Sequence, residues 1–387
     1  SSLFSVMPTL QRIRRALCHS FLGLVILIPA WAARAQEVQV EFVYPPVRFL
    51  SADTGADDER IEPSGVEPIG DGSLLLVADD KRAGLIVVEA ATGRAKHSLL
   101  MGISDKRPKW EELAHDDEGG YYVIGSRFFE EPSGDGADKK TIAVPRLLRF
   151  RLQSDGGRET SPVVDPESII EWDITEALVA AGYRRDVRKN EVNIEGLAVR
   201  TLRDPGGRLT LRELVVGLRE PHDSARAYAA NITVFPAPNA KLALYPLFRF
   251  DTGLRAGIPS HVSSLDYLPA WRGFFVLTST EDQDNRYHGN TLWFLSDDKI
   301  AAALPAALPR DTLNLDDLRF VEPQKVLVFG LDVKAEGLCV LSEEAGSSKS
   351  PVRRARLALV YDNDTAKTGE PGLLQFITLL RWPDYTP

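Results

Sequence analysis

The sequence predicts an all-β chain folded as a β-propeller of five blades, closed by an N-terminal strand. Three observations predict it. Short apolar runs bounded by Gly, Pro, Asp and Asn stand almost everywhere in place of long amphipathic periods, and such runs read as strands separated by turns. One strand-opening pattern recurs five times, at Ser64-Gly65-Val66, Glu111-Glu112-Leu113, Glu195-Gly196-Leu197, Ser263-Ser264-Leu265 and Glu336-Gly337-Leu338, each leading through a turn into a second apolar strand. The copies lie 47, 84, 68 and 73 residues apart, which suits one four-stranded blade per copy with insertions of varying length. Six blades is the alternative, because the 84-residue gap has room for one more.

The elements follow in chain order. Residues 1–35 read as a signal peptide: Arg12, Arg14 and Arg15 precede a thirteen-residue apolar run over 21–33, and Ala33-Arg34-Ala35 fits the small-x-small cleavage rule. Thirteen residues fall short of the roughly 20 that a spanning helix needs. No stable membrane span is therefore expected after cleavage, and residues 36–387 are expected to form one propeller domain in the periplasm or outside the cell. Residues 38–44 alternate like a strand and are expected to pair with 374–380, completing the last blade, since an open sheet edge invites aggregation. Strands are expected over 73–78, 85–88, 121–124, 147–150, 214–217, 273–277, 291–295 and 357–361. Helices are expected over 175–182 and 299–307, and loops over 130–140 and 346–354.

Residues 36–387 carry 42 basic and 55 acidic side chains, a formal charge of −13. Nucleic acid and anionic membrane surfaces both require a basic face, so neither is an expected partner. Cys339 is the one cysteine outside the signal segment; it has no partner for an internal disulfide and reads as a buried, inert thiol. About 350 residues bury enough apolar surface to stand without staples, and a monomer is expected.

In a propeller the first strand of each blade lines a central channel. The aligned residues Ser64, Glu111, Glu195, Ser263 and Glu336 then face one axis. Glu111, Glu195 and Glu336 are the candidate metal ligands: three carboxylates on one axis repel unless a cation sits among them, and oxygen-only ligands suit Ca2+. The structural alternative is that these glutamates lock neighbouring blades by accepting backbone N–H bonds. A second set stands at the far end of the paired strands or close to them: Asp79, Asp80, Arg127, Arg219 and Glu281, joined by His261. Mixed acids and guanidinium groups at one rim suit a small anionic or sugar-like ligand, while Asp in such places also serves ordinary turns. Asp282-x-Asp284 begins like a calcium loop but lacks its glycine. The chain outside the signal has no Gly-x-Ser-x-Gly elbow, phosphate loop or dinucleotide fingerprint, so no catalytic residue is assigned.

Asn193-Ile194-Glu195-Gly196-Leu197-Ala198 and Ala335-Glu336-Gly337-Leu338 resemble the motifs of bacterial secreted propellers of the domain of unknown function 3616 family. Glu62-Pro63-Ser64-Gly65-Val66 and Gly257-Ile258-Pro259-Ser260-His261 are similar to the same group, so the resemblance runs roughly over residues 61–362. Those propellers are in turn similar to esterase-like and phytase-like ones. The resemblance implies the fold first. For function it leaves a binding or interaction protein beside a metal-assisted hydrolase of phosphate or carboxylic esters. Two copies depart from the pattern: Glu112 and Ser264 stand where the others have glycine.

Overall fold

The computed structural model describes residues 37–50, 61–70, 72–78, 85–99, 108–132, 139–154, 162–181, 183, 193–204, 206–219, 229–235, 242–282, 284, 286–305, 309, 313, 317–329, 333–344, 352–363 and 371–382. The chain opens with β1 (Val38–Val43) and β2 (Val47–Arg48), then forms a four-stranded antiparallel meander of β3 (Pro63–Gly70), β4 (Ser73–Ala78), β5 (Leu85–Glu89) and β6 (Ala95–Leu99). A second sheet holds β7 (Pro108–His115), β8 (Gly120–Pro132) and β9 (Lys139–Ser154), with β10 (Pro162–Val164) and β11 (Ile170–Asp173) both paired to β9, and ends in helix α1 (Thr175–Ala180). The third is β12 (Ile194–Arg203), β13 (Leu209–Leu218), β14 (Ala229–Phe235) and β15 (Tyr245–Asp251). The fourth runs β16 (Leu254–Arg255), β17 (Ile258–Leu268), β18 (Gly273–Glu281), β19 (Tyr287–Ser296) and, after helix α2 (Asp297–Ala303), β20 (Gln324–Phe329). The fifth is β21 (Lys334–Glu344), β22 (Arg353–Asp362) and β23 (Leu373–Arg381), and β1 pairs antiparallel with the outer side of β23, Gln39 opposite Leu380 and Val43 opposite Ile377.

The first strands of these sheets pack on one another in the order β3, β7, β12, β17, β21 and back to β3. This is a β-propeller arrangement. Its core consists of apolar clusters sandwiched between successive sheets. On β4, Leu75 and Val77 meet Trp110, Leu113 and Phe150 of the next sheet, while Leu74 and Leu76 meet Cys339, Val360 and Phe376 of the preceding one. On β22, Leu357 and Leu359 face Phe275 and Phe294, whereas Ala358 and Val360 face the opposite way. Alternate side chains point to opposite faces and both faces are covered, which is why these strands read as continuous apolar runs rather than as polar–apolar alternations. Each large side chain so buried contributes about 1.5–3 kcal/mol.

Three expectations shift. The 84-residue gap is taken up by the long β8–β9 hairpin, by β10 and β11, and by α1. The loop expected over 130–140 is entered by β8 as far as Pro132 and left by β9 from Lys139; residues 133–138 lie outside the described residues. The helices are short, and local chemistry sets their ends. Asp173 accepts the Thr175 N–H at 2.9 Å at the start of α1. Asp297 and Asp298 in the first turn of α2 favour an earlier start than expected, because carboxylates are stabilised at a helix N-terminus.

Candidate functional site

The recurring strand-opening motif is a β-bulge. In all five first strands the pairing with the second strand slips at the aligned residue: Ser64 is the extra residue in β3, Glu111 in β7, Glu195 in β12, Ser263 in β17 and Glu336 in β21. A bulge bends its strand and re-aims a side chain. Here it does so at the same level of every sheet, where the first strands approach most closely. A Cβ on Gly337 would stand 2.9 Å from the Gly65 Cα, and one on Gly65 would stand 2.8 Å from the Glu112 Cα. At Gly65 and Gly337, glycine after the bulge is therefore a requirement of ring packing.

The bulged glutamates build a charged cluster with cations from their own strands and from Arg219. The residue two positions before each bulged glutamate turns back on it. Asn193 donates to Glu195 at 2.6 Å, Lys109 Nζ lies 2.9 Å from Glu111, and Lys334 pairs with Glu336. Arg219, just past β13, donates to Glu195 at 3.0 Å and to Glu281 of the next sheet at 2.5 Å. Glu195 is only 3 % exposed and Glu336 6 %. Burial alone raises the Glu195 carboxyl, but Lys334, Arg219 and Lys109 outweigh it and bring it down to about 2. Glu336 goes the other way, to about 8, because burial and the Glu195 charge outweigh Lys334. The cluster thus couples three sheets, and Lys109, in contact with Glu111, ties the third glutamate to the same field.

One level deeper lie the residues after the bulge: Gly65, Glu112, Gly196, Ser264 and Gly337. The two that are not glycine touch each other. The Ser264 hydroxyl donates to Glu112 Oε2 and accepts the Leu338 N–H at 3.0 Å, while Glu112 Oε1 accepts the Leu113 N–H at 3.0 Å. Both side chains are fully buried, and burial holds the Glu112 carboxyl well above the usual range. Deeper again, at the third position past the bulge, stand Glu67, Asp266 and Cys339. Glu67 bonds His115 Nδ1 at 2.6 Å, and Asp266 accepts the Val340 N–H at 2.7 Å. Glu67 and its bond lift His115 to about 9, and burial with the Glu67 charge lifts Asp266 to about 7. Burial, reinforced by Glu67, Asp266 and Glu112, pushes the Cys339 thiol up, which leaves it an unreactive thiol.

The structure therefore brings Glu195, Glu336, Arg219 and Glu281 together, with Glu111 beside Lys109. His261 is half-buried on β17 two positions before bulged Ser263, the place that Lys109, Asn193 and Lys334 hold in their strands. The Arg127 backbone pairs with Pro108 and Val144 at the far reach of β8. Asp79 and Asp80, like the signal segment 1–35, lie outside the described residues. Among the described residues, no group of three or more His, Cys, Asp or Glu stands ready to hold a metal ion, and the charge beside the three glutamates is supplied by lysine and arginine. Sequence reasoning missed Lys109, Asn193 and Lys334. The signal was present as a Lys or Asn two places before each bulged glutamate. It also missed the Glu67–His115 pair, whose members are 48 residues apart.

No family model matches the chain, and no curated protein matches it. Among solved structures it is similar to the extracellular domains 1–2 of Drosophila semaphorin 1a, at 10 % identity over 84 % of this chain and 79 % of that one, with a TM-score of 0.36.

Proposed function

We propose that the chain is a five-bladed ring closed by β1, like the secreted propellers of the domain of unknown function 3616 family that it resembles, and that it acts in the periplasm or outside the cell as a binding propeller. Its ligand is small and anionic or sugar-like, held at the mouth where the first strands begin. One observation carries this reading: carboxylates and cations from four sheets converge on that level, with Lys109 partly open to solvent (35 % of its side chain) and Arg219 bridging Glu195 to Glu281. Such a surface offers donors and acceptors already in position, and preorganised groups lose little freedom on binding. The five matching bulges support one blade per repeat, and the β1–β23 pairing supports closure. Among the described residues no helix is long and apolar enough to cross a membrane.

The test is calorimetry and thermal shift with sugar acids, sugar phosphates and phosphorylated polyols, on the parent chain and on Lys109→Met. The reading expects at least one compound to bind and to lose about tenfold in Lys109→Met. If no compound in the panel binds, the mouth is not a ligand site of this class. Release of phosphate or alcohol from the same compounds would favour the hydrolase instead.

A further inference from the structure

The two residues that break the repeat make a single contact, and that contact crosses the ring. Glu112 sits on β7 and Ser264 on β17, strands that are not successive in the ring: β12 lies between them on one side, β21 and β3 on the other. The remaining positions at this level are Gly65, Gly196 and Gly337, which carry no side chain, so the carboxyl of Glu112 has room to reach across. Gly65 lies directly against it. Ser264 uses its hydroxyl in both directions, donating to Glu112 and accepting from the Leu338 backbone of β21. Four first strands thus meet at this one contact: β7 and β17 through their side chains, β21 through a backbone N–H, and β3 through the close approach of Gly65.

We propose that Glu112 and Ser264 form a cross-axis tie that closes the centre of the ring and separates the charged mouth from the Glu67–His115–Asp266 level beneath it. In a strictly repetitive ring, glycine at all five positions would leave the axis open at this height. The departures are complementary: one supplies an acceptor long enough to cross, the other a short donor fixed by the next strand. This tie gives the mouth a floor whether or not a ligand binds there.

Cys339 reports on the tie, because it lies fully buried at the level below and within the electrostatic reach of Glu112. The experiment is alkylation of the native protein by a small thiol reagent, read at the Cys339 peptide so that Cys18 does not interfere. The variants are Glu112→Gly, Glu112→Gln, Ser264→Ala and the double change Glu112→Gly with Ser264→Ala. In the parent, Cys339 should react no faster than the whole domain unfolds. Glu112→Gly should react at least tenfold faster than its own measured unfolding rate, and Ser264→Ala by a smaller factor. Adding Ser264→Ala to Glu112→Gly should give no further increase, since the tie is already gone, and Glu112→Gln, whose amide oxygen can still accept, should stay near the parent. If Glu112→Gly does not fold, Ser264→Ala and Glu112→Gln carry the comparison. Labelling that follows global unfolding in Ser264→Ala and Glu112→Gly alike would overturn the tie. So would effects of the two changes that simply multiply.

Discussion

The mouth and the level beneath the tie solve one problem in two ways. Both place carboxylates where five strands crowd together and water is largely excluded, and an unpaired ionised carboxylate there is costly. At the mouth the answer is opposite charge: Glu195 is surrounded by Lys334, Arg219 and Lys109 and stays ionised down to about 2. Beneath the tie there is little positive charge among the described residues. His115 is the cation that acts on Glu67 and Asp266, and Asp266 holds its proton to about 7. Two levels of one ring thus differ: one holds an ion-paired carboxylate, the other a carboxyl kept neutral by burial. What decides is how much positive charge reaches the carboxyl: Lys334, Arg219 and Lys109 all act on Glu195, whereas at Glu336 burial and the Glu195 charge outweigh Lys334.

The largest break in this comparison is expected at Arg219. Arg219→Met leaves Glu195 and Glu281 without the guanidinium that joins them across two sheets. Removing one partner of a buried pair typically costs about 3–5 kcal/mol. Lys334 still acts on Glu195, so the lower end, about 3 kcal/mol, is expected in urea unfolding at pH 7. A loss below 1 kcal/mol would mean the mouth does not depend on opposite charge.

How much of this could be read in advance is instructive. The five aligned positions are legible because two small or acidic residues followed by an aliphatic one open a strand in each copy. That they are bulges is not legible, because a bulge is defined by pairing with a strand ten or more residues away. Val38 to Val43 was legible as a strand for the ordinary reason that Val38, Val40 and Phe42 alternate with polar residues. The Glu112–Ser264 contact was visible only as two separate departures from a pattern. Nothing local says that residues 152 apart meet across an axis.

Titration sharpens the comparison at intermediate size. Glu195 has a folded value below its ordinary one, so its contribution is full above about 4.5 and is lost as the pH falls toward 2. His115 and Asp266 have raised values, so the proton is bound more tightly in the folded state. Their contribution is full below the unfolded values and is lost as the pH rises, through about 7 for Asp266 and about 9 for His115. Glu336, raised to about 8, adds a fall of the same sign at the mouth. His115→Gln isolates the deeper part. Stability should then fall less between pH 6.5 and 9 than in the parent. The expected difference is about 1 kcal/mol once solvent screening is allowed for, since 42 % of the His115 side chain is open. An unchanged slope would show that the Glu67–His115 bond does not form in solution.

The smallest effect is expected from divalent cations, and its smallness is the point. A cation stabilises the ring only if it finds carboxylates whose charge is not already met, and a ligand that does not bind the folded state adds nothing to its stability. At the mouth Lys109, Arg219 and Lys334 stand beside Glu111, Glu195, Glu281 and Glu336. Ca2+ entering there must displace an ammonium or guanidinium group and desolvate itself. The parent should melt at the same temperature with calcium, with magnesium and with chelator. Lys334→Met removes the cation shared by Glu336 and Glu195, and in that variant calcium has two under-compensated carboxylates to bridge. A ligand at 100 times its dissociation constant stabilises by about 2.7 kcal/mol, so a calcium-dependent rise in Lys334→Met alone should be plain in a thermal melt. If the parent itself rises with calcium, Glu111, Glu195 and Glu336 do hold a metal, and Lys109 and Lys334 only balance the charge that remains. If neither chain responds, Arg219 and Lys109 are enough to balance the mouth without Lys334.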